Sequence, residues 1–116
     1  MIYLVYRMKL SPHARQDMKA FWAWLENRER FFYDELDMVQ ELHWYYSVIG
    51  DVYVIENWAG FADEAAWGQY RAKLATLKKA DDWETERVSQ DQWWDFLDTR
   101  IVTDPPVAVG FSKSST

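Results

Sequence analysis

Apolar and polar residues alternate along residues 2–9, IYLVYRMK. Ile2, Leu4, Tyr6 and Met8 fall on one side and Tyr3, Val5, Arg7 and Lys9 on the other, the period of a β-strand. At Ser11-Pro12 the period changes. A serine followed by a proline reads as an N-cap and a first helical position. From 12 to about 33, Met18, Phe21, Leu25 and Phe32 recur at helical spacing, with Trp24 and Phe31 widening the stripe and Glu26, Asn27, Glu29 and Arg30 on the polar side. Residues 34–42 fit either an extension of this helix or a separate turn. Residues 43–58, HWYYSVIGDVYVIENW, hold two alternating aromatic and β-branched runs around Gly50-Asp51, a two-residue turn signal. They predict a hairpin with strands at about 43–49 and 52–58. Beyond Gly60, Asp63 is placed to cap a second helix carrying Ala66, Tyr70, Leu74 and Leu77 and ending near Ala80. Residues 81–92 are polar with one tryptophan, the pattern of a loop with a short helical turn. In the last segment Thr99, Ile101, Val102 and Thr103 are β-branched. A helical turn near 90–94 followed by a strand is therefore favoured over a helix with Trp93, Phe96, Leu97 and Ile101 on one face; Pro105-Pro106 ends either element.

The order β-α-β-β-α-β predicts an α+β, ferredoxin-like domain with an antiparallel four-stranded sheet over residues 1–106, followed by a tail at 107–116. A chain of 116 residues has room for one core. Helices in this arrangement cover one face of the sheet. Ile2, Leu4, Tyr6, Trp44, Tyr46, Val48, Val52 and Val54 are the expected helix-side residues, with Glu56 beside them; Tyr3, Val5, Tyr45, Ile49, Tyr53 and Ile55 are expected opposite. That second set is a large apolar patch for a monomer to expose. Covering several hundred Å² of it at ~25 cal/mol per Å² gives ~10 kcal/mol of gross driving force, before association costs. A two-fold homodimer with sheets face to face is the simplest closed solution.

Composition narrows the function classes. The absence of cysteine removes disulfides, thiolate metal sites and cysteine nucleophiles. No apolar run reaches the ~20 residues of a membrane span, and residues 1–20 carry no secretory pattern, so the expected compartment is the cytoplasm. A net charge of −6, with Lys78-Lys79 as the one cationic cluster and Asp81-Asp82 next to it, argues against a nucleic-acid partner.

The element order, the two-faced sheet and the late segment Phe96-Leu97-Asp98 leading into Arg100-Ile101-Val102-Thr103-Asp104 resemble the dimeric α+β barrel superfamily. In that superfamily two ferredoxin-like subunits join their sheets into a barrel. The resemblance covers roughly residues 1–104. It takes in EthD-like proteins, cofactor-independent monooxygenases of antibiotic pathways, small isomerases and haem-degrading enzymes. It implies a homodimer with a small-molecule pocket, between sheet and helices or inside the barrel.

Candidate chemistry starts with His43, one of two histidines, expected on the open face with Tyr45 and Ser47. Imidazole is suited to proton transfer near neutral pH. Arg7 and Asn57 are expected on the same face, as a guanidinium fork and a neutral donor able to stabilise an oxyanion. The alternatives are a surface histidine, an arginine paired with a neighbouring acid and an asparagine at a strand end. Tyr3, Tyr45, Tyr53, Trp24 and Trp67 are the aromatic candidates for a ligand wall, against a plain core role for the eight tryptophans. No metal-ligand spacing, nucleotide loop or serine-hydrolase elbow is present, so no metal or cofactor is expected; haem on His43 would be the exception. Two function classes follow. One is a cofactor-independent monooxygenase, cyclase or isomerase acting on an aromatic or polyketide-like substrate, with His43, Arg7 and Asn57 converging on one cavity. The other is a non-catalytic homodimer that carries a ligand or docks a partner, its interior plugged by Tyr3, Tyr45 and Tyr53.

Overall fold

A computed structural model describes residues 1–77, 85 and 87–113. The elements run β1 (Ile2–Leu10), α1 (Pro12–Gln16), α2 (Met18–Tyr33), β2 (Glu41–Tyr46), β3 (Val54–Phe61), α3 (Glu64–Leu77), a single 3₁₀ turn (Gln90–Gln92) and β4 (Trp94–Thr103). The ferredoxin-like order and the antiparallel four-stranded sheet expected from the pattern are present, with strand order β2-β3-β1-β4. The expected helix end near Ala80, residues 81–84 and 86 of the 81–92 connection and the side chain of Phe31 lie outside the described residues. No helix among the described residues is long and apolar enough to cross a membrane.

Local signals account for the helix boundaries. Ser11 Oγ accepts from the Ala14 amide at 3.2 Å, and Pro12 opens α1. The single long helix expected over 12–33 is broken at Asp17, whose backbone leaves the helical region while its carboxylate accepts from the Ala20 amide at 3.0 Å. An aspartate whose side chain caps the next turn starts a second helix more readily than it sits inside the first. Asp63 caps α3 through the Ala66 amide at 2.8 Å. Residues 34–40 turn separately, and Leu36 is buried there.

The hairpin reverses where Gly50-Asp51 predicts, with Gly50 at φ +96°. Its ladder ends earlier, at Tyr46 opposite Ile55, so 47–53 form a loop rather than a two-residue turn. Asp51 Oδ1 accepts from the Tyr53 amide and Lys9 pairs with the Asp51 carboxylate, which holds the loop over the end of β1.

One face of the sheet is packed. Phe21, Phe61, Met8, Leu10 and Ile55 are completely enclosed there, each such side chain contributing roughly 1.5–3 kcal/mol. The core divides in two. Met8, Leu10, Ile55, Phe21, Leu25, Trp93 and Trp94 pack under α1 and α2, while Leu4, Leu36, Ala59, Phe61 and Tyr70 pack under α3. Tyr6 touches both groups and marks the seam between them.

Two expectations about the sheet are corrected. First, the sheet is open and not a barrel: β2 and β4 are its opposite edges, and four strands are far short of the about eight that closure takes. Second, β3 presents its other side. Residues directly opposite across a ladder share a face, and Tyr6 stands opposite Asn57, Met8 opposite Ile55 and Arg7 opposite Glu56. Asn57 and Ile55 therefore look toward the helices, and Val54 and Glu56 look away. The helix-free face is correspondingly less apolar than the pattern implies. Val5 is fully buried there beneath flanking Trp58 and Arg100. Around it Arg100 pairs with Glu56 at 3.6 Å, Arg7 with Asp98 at 3.5 Å, and the Tyr3 hydroxyl donates to Glu41 at 2.8 Å.

Candidate functional site

Three rows of side chains cross the helix-side face of the sheet. Leu42, Ala59, Leu4 and Ile101 make one apolar row, and Tyr46, Ile55, Met8 and Phe96 make another. The row between them is polar: Trp44, Asn57, Tyr6 and Thr99. Above it, where the two halves of the core part, lies a partly open cavity of about 170 Å³. Asn57 and Tyr6 lie at its floor. Arg28, Phe32 and Tyr33 of α2, Tyr70 and Leu74 of α3, and Gln90 and Trp94 complete most of the wall.

The floor holds a polar group with unmet demand. Asn57 is 3% exposed, and neither its Nδ2 nor its Oδ1 has a partner at full hydrogen-bond geometry, the Tyr33 hydroxyl being its polar neighbour. The Tyr33 hydroxyl lies beside both this amide and the Arg28 guanidinium, and the hydroxyls of Tyr6 and Tyr70 face each other. Burial pushes all three phenols above the ordinary tyrosine range, so each stays protonated and serves as a hydroxyl donor. Burial also lowers the Arg28 guanidinium below its usual value, while the Tyr33 and Tyr70 oxygens act in the opposite direction. Arg28 Nη2 donates to Gln90 Oε1 at 2.9 Å. Its Cζ lies 4.3 Å from the Phe32 ring centre and 5.2 Å from that of Trp94.

The candidates drawn from the sequence are distributed over both faces. Arg7 and His43 stand on the open face, where Arg7 pairs with Asp98 and His43 Nε2 lies 3.8 Å from Glu41. Asn57 is on the other side of the sheet, so the three do not converge on one cavity. Tyr3 and Tyr45 flank Trp58 on the open face at 5.8 and 5.9 Å between ring centres. Tyr53 sits in the hairpin loop under the Arg15 guanidinium. Trp24 stacks on Trp93 in the first core group, and Trp67 packs against the second beneath Arg71. None of these five lines the cavity. Among the described residues no group of histidines and carboxylates is arranged to hold a metal ion.

Arg28 is the main residue that pattern reading passes over, although its position carried a signal. It falls on the apolar stripe of α2, three residues after Leu25 and four before Phe32, where a charge has no ordinary reason to be. Tyr33, Tyr70 and Gln90 gave no comparable sign.

Comparison with known proteins places the fold. No protein-family model and no curated protein matches the chain. Among solved structures, the protein Atu4242 of Agrobacterium tumefaciens is similar at 17% identity, over 91% of this chain and 95% of that one, with a TM-score of 0.66. A second structure of it is described as a NIPSNAP family protein with unknown function. HapK of Hahella chejuensis is similar at 13% identity over 97% and 100% of the two chains, with a TM-score of 0.62. A candidate antibiotic biosynthesis monooxygenase of Deinococcus radiodurans is similar at 10% identity over 97% and 100%, with a TM-score of 0.54. At these identities the likeness is one of fold, shared with NIPSNAP and antibiotic-monooxygenase-like proteins over most of the chain.

Proposed function

We propose that this chain binds a small molecule in the cavity between sheet and helices, above Asn57. The observation that carries the reading is the Asn57 amide. An unpaired buried amide costs about 1–3 kcal/mol per lost partner, and it persists most simply where a ligand supplies the partners. The position at the seam of two core groups and the apolar wall of Phe32, Leu74 and Trp94 support the same conclusion. The likeness in fold to candidate antibiotic biosynthesis monooxygenases supports an aromatic or polyketide-like ligand.

The chemistry this lining fits is charge stabilisation. Its described residues offer protonated phenols, an amide and arginine, and no histidine, aspartate or glutamate to act as a base. Cofactor-independent oxidation, cyclisation or isomerisation of a substrate that ionises on its own is compatible with that set. Transport of the ligand without turnover is the second reading, favoured by the absence of a base among the described lining residues. Self-association into a homodimer belongs to either reading, supported by exposed Phe96, Leu97 and Ile101 on β4 and by Val107, Val109 and Phe111 beyond it.

The test is native mass spectrometry of the purified full chain, followed by a ligand-induced thermal shift with the compound released. A bound small molecule whose stabilising effect disappears in Asn57→Leu supports the reading. A released compound that stabilises Asn57→Leu as strongly as the parent chain would sink it.

A further inference from the structure

We infer that the ligand of this cavity is an anion: an aromatic acid whose carboxylate, or an equivalent enolate oxygen, lies against Arg28 and Asn57 with its ring along Phe32 and Trp94. The inference rests on the cavity reading above and gives its ligand a charge. Unpaired groups on the lining residues are mostly donors. Arg28 Nε and Trp94 Nε1 are buried without a hydrogen bond and Asn57 Nδ2 has only the Tyr33 hydroxyl beside it, against a single orphan acceptor, Asn57 Oδ1. A cavity with surplus donors calls for a ligand rich in acceptors.

Charge points the same way. Among the described residues Arg28 has no ion-pair partner, its polar contacts there being Gln90 and the Tyr33 hydroxyl. Glu29, the neighbouring acid, comes last among the groups that favour its charge, and its carboxylate accepts from Trp44 Nε1. No carboxylate is among the described lining residues. A buried cation without a counter-charge is a costly arrangement. The faces of Phe32 and Trp94 offset part of that cost. A ligand carboxylate would supply the rest, since its two oxygens match the guanidinium fork. Size fixes the remainder. A cavity of roughly 150 Å³ holds benzene, so about 170 Å³ encloses one substituted ring and leaves the open side for more.

The experiment titrates 2-naphthoate and the nearly isosteric, neutral 2-naphthamide into the full chain. Affinity is read from tryptophan fluorescence, and the Trp94 indole N–H resonance reports the site. Naphthoate is expected to bind at least about tenfold more tightly, the scale of one charge-assisted contact, and to shift the Trp94 resonance. Asn57→Asp, which puts a carboxylate beside Arg28, is expected to weaken naphthoate by more than naphthamide and so remove that preference. Arg28→Gln is expected to do the same; should it not fold, Asn57→Asp decides. Equal affinity of the two probes overturns the anion inference and leaves the small-molecule reading standing. Failure of both to move the Trp94 resonance overturns the two together.

Discussion

A buried amide with no well-formed hydrogen bond contributes little stability, so Asn57 measures what the molecule gives up for its cavity. Leucine fills a similar volume without the desolvation penalty and would close apolar contacts between the rows of Leu4 and Met8 on either side. Asn57→Leu is expected to raise stability by about 1–2 kcal/mol while abolishing ligand uptake, the usual exchange between a functional cavity and stability. Urea unfolding monitored by circular dichroism, beside the naphthoate titration, checks both halves. A less stable Asn57→Leu would mean that the Tyr33 hydroxyl pairs with the amide strongly enough to offset its burial. Which face this residue occupies was legible from the turn. Centring the reversal on Gly50-Asp51 pairs Tyr46 with Ile55 and Trp44 with Asn57, an even residue with an odd one. Grouping Val54 with Tyr46 by apolar character ignored that parity, and a shift of one residue turns every side chain of a strand around.

Elements were more legible than faces, because their ends carry chemistry of their own. Ser11-Pro12 and Asp63 each announce a helix start that the structure keeps. The break at Asp17 was less visible, since apolar spacing alone does not register a cap inside a periodic run. Asp17 closes α1 and opens α2, and its carboxylate satisfies the Ala20 amide. Asp17→Ala is expected to cost about 0.5–2 kcal/mol, and Asp17→Asn much less, because the amide oxygen caps as well as a carboxylate. Chemical denaturation of the two variants separates capping from charge; equal losses would show that charge matters instead. Gly60 makes a second demand at this scale. A Cβ there would stand 3.0 Å from the Tyr3 ring and 3.2 Å from the Glu41 Cβ, on residues paired with it on both sides. Gly60→Ala is therefore expected to loosen the Tyr3–Glu41 hydrogen bond and destabilise by about 1 kcal/mol, readable as a lower urea midpoint.

At the scale of the whole molecule, the sheet divides two kinds of polar chemistry. Its open face carries acids and bases in pairs, Arg7 with Asp98 and Arg100 with Glu56. Its helix side carries an arginine and three phenols with no described acid lining their cavity. The phenols of Tyr6, Tyr33 and Tyr70 keep their protons to higher pH than an unfolded chain, where tyrosine ionises at about 10. Between those values the unfolded state binds fewer protons than the native one, so stability decreases as pH rises. The contribution of these phenols is complete below about pH 10 and is lost progressively as pH climbs through their raised native values. Arg28 acts in the opposite direction, since its lowered value makes the charged form the less favoured one in the native state, but it remains a cation through neutral pH. A urea midpoint that falls between about pH 10 and 11 is expected, with part of the tyrosinate absorbance at 295 nm appearing only as the far-ultraviolet circular dichroism is lost. Tyrosinate absorbance that rises fully while the fold stays intact would show that the phenols are wet, and with them the cavity in which an aromatic acid is proposed to lie.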